Sequence, residues 1–285
     1  GEEYPENPDY NADDAFLEPL SSKTRLNLSR LDEHAIDYDL IEQLLVFLDE
    51  SEERAGPSNG GGAFLVFLPG KGEVERMVDR LKGLKRFRDA IVLPLHSNVS
   101  NRDQKLCFKI NLDSHIRKIV VATNVAETSV TIPDITCVID SGRVKERRWD
   151  PKRGLASLEE CFISRASAKQ RRGRAGRVRE GKCFALYTSK RHEVLMKSHQ
   201  EPEMKRAPLT EVVLQIASLG DGRDARKSEK CEDDDVDPRA VLSRAPEPPS
   251  EESIVRAVDT LVNIGALERI LRRSQNHTNN EDENG

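Results

Sequence analysis

Five short apolar runs, several rich in β-branched residues, punctuate one stretch of the chain: AFLVFLPG (63–70), IVLPL (91–95), RKIVVAT (117–123), ITCVID (135–140) and CFALYT (183–188). An apolar run of this length, bounded by turn formers, is the pattern of a strand buried on both faces. Apolar residues recur at helical spacing over 38–48, 73–84 and 100–110. Strands and helices therefore alternate at intervals that suit βαβ crossovers. That predicts an α/β domain, a mostly parallel sheet flanked by helices. Residues 143–163 interrupt the alternation and read as a hairpin around WDPKRG, and a helix should follow with Ser167 as its N-cap.

The flanks have a different character. Residues 1–18 hold seven acidic residues and no basic one, and 1–35 read as an acidic linker or arm. The α/β domain is expected over 36–204 and a small, mainly helical unit over 205–268, with a disordered tail at 269–285. In that unit, LTEVVLQIASLG (209–220) reads as a helix stopped by glycine and EKCEDDDVD (229–237) as an acidic loop. Charged residues make up 33% of the sequence and apolar ones 36%, which suits an ordered core diluted by solvated segments. The five cysteines are odd in number and form no CxxC pair, so zinc sites and disulfide frameworks are not expected. They read as buried thiols in a reducing compartment. No apolar run approaches membrane-spanning length and no signal-peptide pattern opens the chain. The expected setting is soluble and cytoplasmic, with the nucleus as the alternative.

Charge is concentrated in one place. Net charge is −5, yet residues 143–182 hold fourteen Lys or Arg against five Asp or Glu. Within that stretch stands QRRGRAGR, residues 170–177. On a helix, Gln170, Arg174 and Arg177 would share a face, and Gly173 and Gly176 would leave room for another surface to approach. Two guanidiniums and an amide together suit a phosphate whose charge grows during transfer. A solvated basic surface and a disordered arginine–glycine segment that coats RNA are the alternatives at this point.

Three stretches imitate nucleotide-site motifs. GPSNGGG (56–62) precedes a strand, whereas a phosphate-binding loop follows one. LPGKGE (68–73) follows a strand but lacks the glycine spacing and the hydroxyl a magnesium ion needs. DEHA (32–35) inverts the last two letters of a helicase metal-binding box and has no apolar strand leading into it, so it reads as a solvated loop or helix start. No nucleotide-hydrolysing centre of the chain's own is expected.

QRRGRAGR resembles motif VI of superfamily 2 helicases, in the Gln-first form of the DEAH/RHA-type RNA helicases. TNVAETSVTIPDITCVIDSGR (123–143) resembles their motif V and the strand after it, FLVFLPG resembles motif IV, and PLHSNVSNRDQKLCF (94–108) resembles the segment between. The order and spacing agree, and the similarity covers roughly 36–268. In that family two RecA-like domains clamp a nucleotide and RNA runs across both. The resemblance implies the second RecA-like domain followed by the start of a winged-helix domain. The first, with its phosphate loop and DEAH box, is not in these residues.

The resemblance also implies roles. Arg174 and Arg177 would be arginine fingers on the γ-phosphate of ATP or another NTP, with Gln170 helping to hold the phosphate or the attacking water. The accompanying Mg2+ would be held by the N-terminal RecA-like domain of the same protein, the expected intramolecular partner. Phe108 would stack on the base, with a helix core position as its alternative. Thr131 would face the nucleotide. Many members carry an acidic residue where Pro133 stands; here Asp134 follows it and is the candidate for a ribose contact. Ser97, Thr123 and Asn124 would meet the backbone of single-stranded RNA. The hairpin would lie near the RNA path, its basic residues reading equally as solvated charges. The function implied is half of an ATP-dependent RNA helicase motor moving 3′ to 5′, assisted by protein cofactors, with no membrane involved. A non-enzymatic RNA- or protein-binding module on the same fold and half of a DNA helicase are the competing readings.

Overall fold

A computed structural model describes residues 20–55, 62–110, 116–128, 131–150, 155–177, 180–221 and 237–267. Residues 1–19, 222–236 and 268–285, on which the arm, most of the acidic loop and the tail were expected, lie outside the described residues, as does 151–154 at the hairpin turn. In chain order come α1 (Ser22–Ser29), α2 (Tyr38–Ala55), β1 (Ala63–Phe67), α3 (Lys71–Gly83), β2 (Ile91–Leu95), α4 (Asn101–Phe108), β3 (Lys118–Ala122), α5 (Val125–Thr128) and β4 (Ile135–Asp140). The hairpin strands β5 (Arg143–Asp150) and β6 (Leu155–Phe162) follow, then α6 (Arg165–Arg172), β7 (Lys182–Ala185), α7 (Glu203–Arg206), α8 (Thr210–Asp221), α9 (Pro238–Leu242) and α10 (Glu251–Asn263).

Five strands form one sheet in the order β2-β3-β1-β4-β7, and every pairing in it is parallel. Such a sheet must be covered on both faces, and alternate side chains divide between two cores. Phe64, Val66, Val92, Ile119, Val121 and Ile139 face Ile41 and Leu45 of α2 and Val74, Met77 and Leu81 of α3. Ala63, Leu65, Phe67, Val120, Ala122 and Val138 face Cys107 of α4, Ala126 of α5 and Ala175 beyond α6. The result is a three-layer α/β fold, as the strand pattern predicts, and of the RecA type that the resemblance implies. β5 and β6 pair separately as a two-stranded sheet, also as expected.

Two compact units divide the chain, residues 1–146 with 158–200 and residues 147–157 with 201–285. In the second, Leu209, Val213 and Ile216 pack with Leu242 and with Ile254, Ala257 and Leu261 of α10. Ser250 caps α10 by accepting the Ser253 amide at 3.3 Å.

Three local features depart from the sequence reading. Within the stretch read as a polar arm, α1 forms with Ser21 as its N-cap, although it buries no residue. The DEHA stretch is not fully solvated: the Glu33 side chain is wholly buried, accepting from the Thr188 amide at 2.6 Å and from Arg191 Nη2 at 3.2 Å. The motif VI helix is capped by Ser164, three residues before the serine expected, and ends at Arg172. Ser164 Oγ accepts the Ser167 amide at 3.1 Å, so the earlier serine caps and the later one donates. Cys107 and Cys137 are buried as expected, and burial pushes their thiols up to about 11 and about 12. Cys161 and Cys183 are half-buried, and Cys231 lies outside the described residues.

Candidate nucleotide and RNA site

Ligands of open parallel sheets sit beyond the carboxyl ends of the strands, where the strand order changes direction. Here β1 is followed on one side by β3 and β2 and on the other by β4 and β7. Beyond these ends lie Ser97 after β2, Thr123 and Asn124 after β3, and the Asp140-Ser141-Gly142 turn after β4.

Three charges organise the centre of this edge. Arg171 is fully buried; its Nε donates to Glu127 Oε1 at 2.6 Å and its Nη1 to Asp140 Oδ1 at 2.8 Å. Its guanidinium also lies over the Phe67 ring, 4.8 Å from the centroid. Burial works against the Arg171 charge, but the carboxylates of Asp140 and Glu127 more than restore it, so its pKa rises. Burial likewise pushes the Glu127 carboxyl up, and Arg171 offsets part of that. Asp140 Oδ1 also accepts the Gly142 amide at 2.9 Å. Gly142 has φ +71°, and a Cβ there would collide with the Tyr187 ring, so only glycine suits this turn.

Because α6 ends at Arg172, Gln170, Arg174 and Arg177 do not share a helix face. The chain tightens instead into turns, with the Arg174 amide bonded to the Arg171 carbonyl and the Ala175 amide to the Arg172 carbonyl. Ala175 tucks into the core under the sheet, and Gly181 packs so closely on its carbonyl that no side chain would fit there. This turn directs Arg174 back to α5, where its Nη2 donates to the Glu127 carbonyl. Arg177 is exposed and donates to Thr131 Oγ1. Arg174 is buried and its pKa is lowered, first by burial and then by the charge of Arg177. Gln170 stays on the exposed side of α6.

The structure thus brings Arg174, Arg177 and Thr131 together, and separately gathers Ser97, Thr123 and Asn124. The Thr123 amide donates to the Leu95 carbonyl at 3.0 Å, tying the ends of β2 and β3. Thr123 is buried while Ser97 and Asn124 are exposed. Phe108 is half-buried and packs on the core between α4 and the sheet. Asp134 precedes β4 at the amino end of the strands, where buried Lys118 donates to its carboxylate at 3.0 Å and 3.2 Å. Its carboxylate therefore serves a structural ion pair, at the edge opposite Thr123.

The donor set fits a phosphate and not a divalent metal. Arg177 donates to the Thr131 hydroxyl with the Arg174 charge close by, and the nearby carboxylates of Glu127 and Asp140 are already engaged by Arg171. Among the described residues no group of three His, Cys, Asp or Glu could hold a metal ion.

Residues 39–179 match the helicase conserved C-terminal domain family. Over 236 residues the chain is 45% identical to the DExH-box ATP-dependent RNA helicase DExH4, chloroplastic, of Arabidopsis thaliana, a match covering 82% of this chain and 15% of that protein. Over 257 residues it is 44% identical to the ATP-dependent RNA helicase dhx29 of Xenopus laevis, covering 89% and 18%. Its fold is similar to the crystal structure of the Escherichia coli DEAH/RHA helicase HrpB, with a TM-score of 0.64 and 28% identity over 84% of this chain and 27% of that one. These matches, with the parallel sheet and the QRRGRAGR turn, define a RecA-like helicase C-terminal domain. The chain belongs to the DExH/DEAH-box helicases, in their DEAH/RHA group. It spans less than a fifth of the length of these two curated relatives.

Arg171 is the residue that composition could not single out. Four arginines crowd into eight positions, and residue type alone does not say which of them is buried against Asp140 and Glu127. A helical reading with Ala168 facing the core would have placed Arg171, at i+3, on the same side.

Proposed function

We propose that this chain supplies the second half of an ATP-dependent RNA helicase motor, with Arg174 and Arg177 as its arginine fingers and Ser97, Thr123 and Asn124 as RNA-backbone contacts. One observation carries the reading: Arg174 is held buried beside Arg177, close enough for the two charges to repel. Strained electrostatics of this kind mark functional sites, and an anion between the two guanidiniums would relieve the repulsion. Thr131 adds a hydroxyl on the same side. As negative charge shifts among phosphate oxygens, these fixed donors stabilise it without reorganising.

Glu127 links the two halves of the site. Its carboxylate holds Arg171 and its carbonyl holds Arg174, while its own amide is bonded to the Asn124 carbonyl at 2.9 Å. A displacement of the Thr123–Asn124 loop by RNA would be felt at the fingers through this one residue. The nucleotide would be ATP or another NTP, its metal ion held by a first RecA-like domain, and the RNA single-stranded with 3′-to-5′ movement. Phe108 and Gln170 remain proposed contacts of base and phosphate.

The experiment joins this chain to a first RecA-like domain of the same family and measures hydrolysis with and without RNA. The 285-residue chain alone should turn over no faster than buffer, and the joined protein should be stimulated by RNA. A joined, folded protein that binds RNA without any hydrolysis would favour the binding-module reading.

A further inference from the structure

The turn that carries Ser97 is built around a histidine. β2 ends at Leu95, and the next residue, His96, is buried at 5% exposure although Ser97 and Asn98, the two residues that follow it in the turn, are exposed. Its Nδ1 accepts the Asn98 backbone amide at 3.2 Å, and its carbonyl accepts the Val99 amide at 3.1 Å. A backbone N–H only donates, so Nδ1 must carry a lone pair and the ring proton must sit on Nε2. That Nε2 faces Glu75 Oε1 of α3 at 4.0 Å, too far for a hydrogen bond. The charged groups acting on the ring are Glu75 and Lys71, both on α3. Burial pushes the imidazole below its ordinary 6.5; Glu75 raises it and Lys71 lowers it further. Nothing in the proposed motor chemistry uses this ring.

We propose that His96 is the positioning residue of the RNA loop: by accepting the Asn98 amide it holds Ser97 where an RNA phosphate meets Thr123 and Asn124, and protonation of the ring releases the loop. The inference rests on the RNA reading of those three residues. A protonated ring turns Nδ1 into a donor facing another donor. The two N–H groups repel, the amide is left without its acceptor, and the turn across residues 96–99 loses one of its two closing bonds. RNA affinity then becomes sensitive to mild acid through a residue that does not touch RNA.

The test measures binding of the 285-residue chain to a uridine homopolymer, whose bases do not titrate in this interval, at low and constant ionic strength. The pH runs from ~4.5 to ~7.5, so that a midpoint lowered from the ordinary imidazole range falls inside the window. Wild-type affinity should fall about 2- to 10-fold toward acid, the worth of one hydrogen bond. His96→Asn places a carbonyl oxygen near the Nδ1 position and cannot titrate, so it should bind as wild type at the upper pH and stay flat. His96→Gln moves its amide beyond that position and should bind weakly throughout. The ring resonances of His96 in the wild-type chain give a second, variant-free measurement: their NMR titration midpoint should coincide with that of binding.

A flat wild-type curve, a His96→Asn curve that follows wild type, or midpoints that disagree would each overturn the proposal. Ser97→Ala separates the two levels of the argument. If it weakens binding while the wild-type curve is flat, only the histidine proposal fails. Should it bind like wild type, the RNA reading of the loop fails, and the proposal with it.

Discussion

The Arg171 guanidinium meets the Asp140 carboxylate at 2.8 Å with both side chains excluded from solvent, at 0% and 1% exposure. The contact joins the helix before Arg174 and Arg177 to the strand β4. Ion pairs this deep are costly to assemble, since both charges lose their water, and costlier still to break on one side. Their retention here fits a positioning task, with Glu127 sharing the same guanidinium.

Replacing Arg171 by Met should therefore cost about 3–5 kcal/mol of stability, because two buried carboxylates lose their counterion. Arg177→Ala removes an exposed side chain and should stay within about 0.5 kcal/mol of wild type. Chemical denaturation of the two variants checks this. Equal costs would mean that the buried triad is not what holds this edge together.

The proposed finger role of Arg174 and Arg177 should show itself in turnover. In the protein joined to its first RecA-like domain, Arg174→Ala and Arg177→Ala should each reduce RNA-stimulated hydrolysis far more than they weaken nucleotide binding. A finger acts most strongly when charge redistributes in the transition state, so its loss falls on kcat. By analogy with supplied arginine fingers the loss is on the order of 10³-fold. Arg172 is exposed and makes none of the contacts of its neighbours Arg171 and Arg174, so Arg172→Ala should matter much less. If it proves as damaging as Arg177→Ala, the cluster is a diffuse basic patch.

Much of this was legible in the sequence, for physical reasons. A parallel strand covered on both faces is a continuous apolar run, so β2, β3 and β4 stood out within a residue, while the runs at 63–70 and 183–188 overshoot the ends of β1 and β7 by three residues. Helix ends were less legible. Ser164 and Ser167 are equally good caps by type, and the choice goes with tertiary packing, Ala168 being buried against Val144, Ile163 and Met196 and Arg171 against Glu127 and Asp140. The site divided in the same way. Arg174 and Arg177 are read from a pattern of residue types, whereas the roles of Arg171, Glu127 and Asp140 depend on strands and helices far apart in sequence. Glu33 was hidden most completely, because its partners Thr188 and Arg191 lie more than 150 residues away.

RNA binding by this chain should weaken steeply as salt rises, since counterions leave the phosphates that basic residues neutralise. Thr123→Ala with Asn124→Ala should weaken it further. These two are neutral donors that release no counterion, so affinity should drop while the slope of log affinity against log salt stays the same. Parallel titrations of wild type and the double variant test both halves. A slope that changes with the double variant would place the loss on a rearranged basic surface, away from this loop.

The last prediction concerns Glu33. Its carboxylate holds the Thr188 amide and the Arg191 guanidinium, and Arg191 in turn lies over the Phe162 ring at 4.1 Å. Arg143 covers the same ring at 4.3 Å and pairs with Glu160 at 3.0 Å. Phe162 ends β6 and Arg143 begins β5, so the segment entering the domain is fastened to the base of the hairpin. Glu33→Ala would leave a buried guanidinium without this partner and the Thr188 amide without an acceptor. The cost should be about 3–5 kcal/mol, with Glu33→Gln intermediate because an amide oxygen still accepts from Thr188. Amide exchange at Val144 and Ile163 should quicken in Glu33→Ala if the hairpin base loosens, while the central strands β1 and β3 stay protected. Uniform loss of protection across the sheet would instead make Glu33 a general stability contact, with no particular hold on the hairpin.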